Sequence, residues 1–164
     1  MKTAIHSATL VLASLLCSTT ACTILSTTSD LQPIAERRGE WERQEAALIM
    51  QIEQAQARYR EDSTLEFLRG YEAAIRDYLD RGFALYRAYL AEHREPPGTL
   101  IASLDKRTSV LMDVADEYIK HGSLAVGEGI AADIVHEYSD LPQLSVAQRR
   151  AEAVLLRYRY RQDY

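Results

Sequence analysis

The residues of this 164-residue chain best placed to do chemistry are two carboxylates and two imidazoles: Glu117 with His121, and Asp133 with His136. Spacings of four and three put each pair on one helix face, and a short turn between the helices would set the two faces against each other. Oxygen and imidazole nitrogen donors converging in a helical hairpin are the ligand set of a metal centre. A carboxylate-bridged di-metal site draws on more acidic ligands, including a Glu-x-x-His pair from each of two helices. Glu137 does not complete that set, and the leading reading is two polar-face histidines beside a turn, with the metal site as the alternative. No other reaction class is signalled. The chain has no glycine loop leading to Lys and Ser, no His-Glu-x-x-His and no Gly-x-Ser-x-Gly elbow. Its serines and threonines gather at helix starts and in one polar segment, where backbone hydrogen bonding accounts for them. The reading is a non-enzymatic protein without a cofactor.

Tyrosine is the unusual component, with ten against two phenylalanines and one tryptophan. Tyr71, Tyr78, Tyr86 and Tyr89 fall on the apolar side of one predicted helix, and Tyr158, Tyr160 and Tyr164 lie near the end. A tyrosine ring gives a large contact area with a polar tip, so it suits core edges and interfaces alike. These residues are therefore candidates for a ring-lined partner-binding groove. The same pattern describes a bundle core whose hydroxyls reach its rim.

The first 22 residues have a different character: Lys2, an apolar run from Ala8 to Leu16, then Thr19-Thr20-Ala21-Cys22. A positive end, a short apolar segment and small residues before a cleavage point describe an export signal, and the run is too short to span a bilayer. The Ala21-Cys22 junction resembles the lipobox of bacterial lipoproteins, although Thr19 stands where leucine is commonest. The resemblance implies removal of residues 1–21, acylation of the Cys22 thiol and a membrane anchor through that lipid. With Thr23 rather than aspartate after the cysteine, it also implies sorting to the periplasmic face of the outer membrane. Ordinary secretory cleavage near Ala21 would instead leave Cys22 as a free thiol. Cys17 is the poorer acceptor, because Leu16 before it is too bulky. Residues 22–30 are polar and rich in Ser and Thr, as a flexible tether should be. Residues 31–164 remain as a single domain, and with Cys17 and Cys22 the only cysteines, it has no internal disulfide.

The formal charge of −5 with mixed signs excludes the basic footprint of a nucleic-acid binder. The last stretch runs the other way: Arg149, Arg150, Arg157, Arg159 and Arg161 outnumber Glu152 and Asp163, a local excess of +3. Such a helix can meet anionic lipid, an acidic partner or plain solvent.

From Leu31 onward the apolar spacing is helical, with no sustained alternation of the kind strands show. The expected fold is all-α, a bundle of about five helices. The first runs from Gln32 to Arg60 with Ile34, Trp41, Leu48 and Ala55 at intervals of seven, and Ile52 and Tyr59 beside them. Ser63-Thr64-Leu65-Glu66 has the form of a capping box opening a second helix to Arg94. That helix carries Leu68, Tyr71, Ile75, Tyr78, Gly82, Leu85 and Tyr89, widened by Leu79, Tyr86 and Leu90, and is expected at the centre. Pro96-Pro97-Gly98 breaks the chain, Thr99 caps a third helix to His121, and Gly122 terminates it. A fourth helix from Ser123 to Tyr138 contains Gly127 and Gly129, read as sites of close packing. Ser145-Val146-Ala147-Gln148 opens a fifth as a second capping box.

Residues 108–142 resemble a tetratricopeptide unit, with Ala115, Tyr118 and Gly122 at its small, aromatic and turn-glycine positions and Leu124 in place of an aromatic. Gly127 and Ala131 depart from that pattern, and no second copy appears upstream. The resemblance implies a repeat-like antiparallel hairpin in the C-terminal half. In size and plan the chain also resembles helical pilotin-like lipoproteins. These resemblances imply a periplasmic adaptor or assembly factor for an envelope machine such as a secretion system or surface appendage. Two alternatives stand beside it: a metal-binding bundle or enzyme built on Glu117, His121, Asp133 and His136, and a coiled-coil lipoprotein self-associating through the Trp41–Leu48–Ile52 stripe.

Overall fold

The computed structural model describes residues 33–141 and 146–162, and of residues 158–162 the helical backbone alone. Residues 1–21, Cys22 and the tether at 22–30 lie outside the described residues. Five helices follow one another: α1 (Ile34–Glu61), α2 (Leu65–Ala91), α3 (Gly98–Lys120), α4 (Leu124–His136) and α5 (Val146–Gln162). The architecture is an all-α bundle of five helices, and no strand occurs among the described residues. None of these helices is long and apolar enough to cross a membrane. Each helix packs on the one before it, and α5 in addition reaches back to α3.

The expected stripe on α1 is the one it buries: Ile34, Trp41, Leu48 and Ile52 all face α2. That burial removes the surface on which self-association through Trp41, Leu48 and Ile52 would depend, because the stripe is already covered within one chain. On α2, Leu68, Tyr71, Ile75, Tyr78, Leu79, Gly82, Leu85, Tyr86 and Tyr89 are all buried, as a central helix requires. Phe83, which falls outside the stripe read from sequence, is fully buried with them, whereas Leu90 is 45% exposed.

The helix ends differ from the sequence reading in instructive ways. The capping box at Ser63 does not form. Ser63 Oγ instead donates to the Tyr59 carbonyl at the end of α1, and Thr64 becomes the N-cap of α2, accepting from the Phe67 N–H. Helix α2 stops at Ala91 rather than Arg94 because His93 adopts φ 54°. Arg94 N–H then closes on the Tyr89 carbonyl at 2.9 Å, the wrap-back that usually calls for glycine. The N-cap of α3 is Pro97, with Thr99 inside the helix, since a proline just before the first turn forfeits no hydrogen bond. Gly122, at φ 78°, terminates α3 as expected, and Ser123 N–H reaches the Tyr118 carbonyl at 2.8 Å.

The two glycines of α4 separate. A Cβ on Gly127 would lie 2.8 Å from the Ala115 carbonyl and 2.6 Å from Ile119 Cγ1, so glycine is what lets α4 press onto α3. Gly129 has open space in that direction and contributes no close approach. On α5, Ala147 and Ala151 are fully buried and Gln148 nearly so, its amide donating to the Tyr138 carbonyl at 3.1 Å. Ser145, the other half of the second expected capping box, lies outside the described residues.

Candidate functional site

The two residue pairs of the metal-centre alternative go to separate partners. Glu117 Oε1 takes the Lys120 ammonium at 2.5 Å, and its Oε2 accepts from the Tyr59 hydroxyl at 3.2 Å. His121 Nε2 sits 3.3 Å from that same hydroxyl. The hydrogen bond from Lys120 holds the Glu117 carboxyl below its usual range, while burial and the facing Glu117 raise Tyr59. Asp133 is drawn instead to α2, where Arg76 Nη2 meets it at 2.7 Å, and His136 is exposed. Among the described residues no group of three or more His, Cys, Asp or Glu side chains is gathered to hold an ion. The Tyr59 hydroxyl of α1 and the Lys120 ammonium of α3 occupy Glu117, and the Arg76 guanidinium of α2 occupies Asp133, so the two carboxylates are held apart.

The tyrosines proposed to line a groove also find partners inside the bundle. Tyr71 accepts from the Gln56 amide at 3.0 Å, Tyr78 donates to Glu45 Oε1 at 2.9 Å, and Tyr86 donates to the Asp140 carbonyl at 2.9 Å. All three rings, and that of Tyr89, are buried, so this is the rim-reaching core rather than an open face of rings. The side chains of Tyr158 and Tyr160, and Tyr164 altogether, lie outside the described residues.

What the fold does shape is a shoulder around Trp41, where the first half of α1 crosses α2. Gly82 makes the crossing possible. A Cβ there would stand 2.5 Å from Leu104 Cδ2 and 3.1 Å from Trp41 Cη2, so α1 and α3 meet over a helix that has no side chain at that point. Trp41 then packs edge-on against Tyr78, with centroids 5.0 Å apart at 69°, a favourable geometry for two ring quadrupoles. The Arg107 guanidinium covers the Tyr78 ring at 5.5 Å. Burial, helped by the Glu45 carboxylate, pushes the Tyr78 hydroxyl up to about 12.

A shallow cleft opens on each side of this ring pair. The larger, about 270 Å³, lies between Arg37, Glu40 and Gln44 of α1 and Arg81, Ala84 and Leu85 of α2. Its Arg81 is held in place by Asp77 at 2.8 Å and by the Gln44 side-chain oxygen at 2.9 Å. The smaller, about 120 Å³, is bounded by Arg38, Glu42, Glu45 and Tyr89 with Pro97, Thr99 and Ser103 at the start of α3. Both have apolar floors and rims of mixed charge, which suits a short peptide segment or side chain of a partner better than a buried small molecule. Of the tyrosines named from sequence, Tyr89 bounds the smaller cleft, but the rest of this site was not read from sequence. Trp41 was legible as a core residue, but nothing in the local pattern shows that Gly82 would seat it between two helices.

A second set of side chains joins distant elements without forming a cleft. Arg76 bridges Glu72 and Asp133, and Arg150 bridges Asp113 and Asp116 at 2.8 and 2.6 Å. Arg87 holds Asp140 at 2.6 Å and the Glu137 carbonyl while lying over Phe83. Tyr138, buried after α4, donates to Asp80 at 2.8 Å. Tyr118 is buried facing Glu72 without a hydrogen bond of good geometry. These ties fasten α4, α5 and the segment between them onto α2 and α3.

No protein-family model, curated protein or solved structure matches this chain.

Proposed function

We propose that the protein is a lipid-anchored helical adaptor of the bacterial cell envelope. In this reading it is acylated at Cys22, held at the periplasmic face of the outer membrane, and engages a protein of an envelope machine through the Trp41 shoulder. The observation that carries the reading is the position of the two clefts. They flank the first half of α1, the end of the domain nearest the lipobox-like junction in the chain. Eleven residues separate Cys22 from Ile34, and the twelve steps between them reach about 40 Å when fully extended. A partner docking at the shoulder is therefore met close to the membrane, and the anchor raises its local concentration without any new contact. The C-terminal half adds a repeat-like hairpin of α3 and α4. Its support is that α5 packs on both members of the pair, as the next helix of a helical repeat stack does.

The test has two arms. Metabolic labelling with a clickable palmitate should mark the wild-type chain and leave Cys22→Ser unlabelled. A photo-crosslinking residue at Ala84, inside the larger cleft, should capture a defined envelope protein, whereas the same probe at exposed Glu66 should not. A labelled, membrane-bound Cys22→Ser variant would remove the anchor. Identical adducts from both probe positions would remove the shoulder.

A further inference from the structure

The outer face of α5 is a stripe of aliphatic and arginine side chains that no other described residue covers. Ala147, Gln148 and Ala151 turn toward α3 and α4, while Val146 and Leu156 stand 59% and 54% exposed on the opposite side. Arg149, Ala153 and Arg157 are exposed on that same side, and Arg149 and Arg157 have no ion-pair partner among the described residues. Arg150 belongs to the inner flank, where Asp113 and Asp116 hold it. Glu152 is the one exposed carboxylate of α5 among the described residues and lies at the flank of the stripe.

We infer that this face docks on an anionic lipid surface, with the arginines at the headgroups and Val146 and Leu156 entering the acyl boundary. The argument is one of charge and side-chain type. Residues 146–164 carry five arginines against Glu152 and Asp163, an excess of +3, so the remaining 145 residues carry −8 of the total −5. An anionic surface attracts one end of such a molecule and repels the rest, which orients α5 toward it. Aliphatic side chains interleaved with arginine match the interfacial layer of a bilayer, where arginine stems lie along apolar surroundings and their heads reach the headgroups. A water-exposed protein partner would need a carboxylate-rich surface to do the same. The inference rests on the lipid-anchor reading: a chain already held at a membrane loses little further freedom when a second contact forms there.

Full-length protein is mixed with vesicles of phosphatidylcholine alone and of phosphatidylcholine with phosphatidylglycerol, and the bound fraction is read by co-sedimentation. The acylated N-terminus partitions into both, so the anionic increment reports the α5 face. That increment should fall roughly five-fold for each arginine contact removed in Arg149→Glu and Arg157→Glu, and Leu156→Ala should weaken it further. Arg58→Glu with Arg60→Glu, the same change of charge at exposed positions on α1, should leave it intact, with helical circular dichroism unchanged in every variant. Equal binding to both vesicle types would overturn the inference in favour of an acidic protein partner. Equal loss from the α1 control would reduce it to net charge. A dimer by light scattering that Leu156→Glu dissolves would assign the face to a second copy. Failure of the anchor reading shows differently, as absence of binding to the neutral vesicles.

Discussion

The two ends of this bundle hold together by different physics. At the Trp41 shoulder, α1 lies on α2 through large rings and branched aliphatics, with Gly82 admitting Trp41 and Leu104 to van der Waals contact. At the far side, α4 and α5 present small residues, Ala131, Ala147 and Ala151, and much of the specificity comes from arginine forks and tyrosine hydroxyls reaching to α2 and α3. Apolar burial has no Coulomb interaction for salt to screen, while half-exposed ion pairs are screened by it. The lesson is that one helix stack can be rigid where it is oily and adjustable where it is stitched.

The largest effect should come from deleting the ring at the oily end. Trp41→Ala is expected to cost roughly 3–5 kcal/mol through lost transfer energy and the cavity left between α1, α2 and α3. Thermal melts would break the comparison if this variant proved nearly neutral.

Alkali should act on both ends next. Burial raises Tyr78 from 10.0 to about 12, and Tyr138 and Tyr118 rise for the same cause. A hydroxyl with a raised folded-state pKa contributes stability that is complete below the unfolded value of 10.0 and is lost as pH climbs toward about 12. Chemical denaturation should therefore give constant stability up to pH 10, then a fall accompanied by cooperative tyrosinate absorbance. Tyr78→Phe should flatten part of that fall, and an unchanged slope would show that its hydroxyl is already free.

Close packing at the stitched end is probed by a pair of glycines. Gly127→Ala should cost roughly 1–3 kcal/mol, because the new methyl meets the Ala115 carbonyl at 2.8 Å and a backbone atom cannot swing away. Gly129→Ala, with open space before it, should gain about 1 kcal/mol from helix propensity alone. Opposite signs two residues apart would sharpen the picture of α4 lying glycine-down on α3, and equal signs would remove it.

The smallest expected change is Arg87→Ala. Its side chain is 50% exposed, so the pair with Asp140 should be worth less than about 1 kcal/mol. Hydrogen exchange should nonetheless accelerate locally between Glu137 and Leu141, and added salt should mimic the mutation there without touching α1.

How much of this was legible in the sequence follows from the range of each interaction. The helical period on α1 and α2 and the glycine stop at 122 are local and could be read directly. Helix ends that depend on competing hydroxyls could not: Ser63 and Thr64 are neighbours of like chemistry, and the end of α1 took the first. His93 in a left-handed turn breaks the usual preference for glycine, so α2 read three residues too long. Among the four candidate ligands, Asp133 is drawn away for a non-local reason. Arg76 has a visible partner at Glu72 four residues earlier, but its second bond, to Asp133, joins positions 57 residues apart. Phe83 and Leu90 exchange roles because the buried arc of α2 is set by helices packing on more than one side, which a single stripe does not represent.

The order in which the helices pack has a consequence for how the chain reaches this fold. Each helix docks on its predecessor in sequence, across connections as short as the three residues between α1 and α2. Contacts of that kind close small loops, and chains built from them reach the native state in microseconds to milliseconds. The α1–α2 hairpin is complete in sequence by Ala91, so a growing structure has a platform before α3 exists. A chain delivered from one end in an extended state would thus assemble in the order of its arrival, each new helix finding its seat already made.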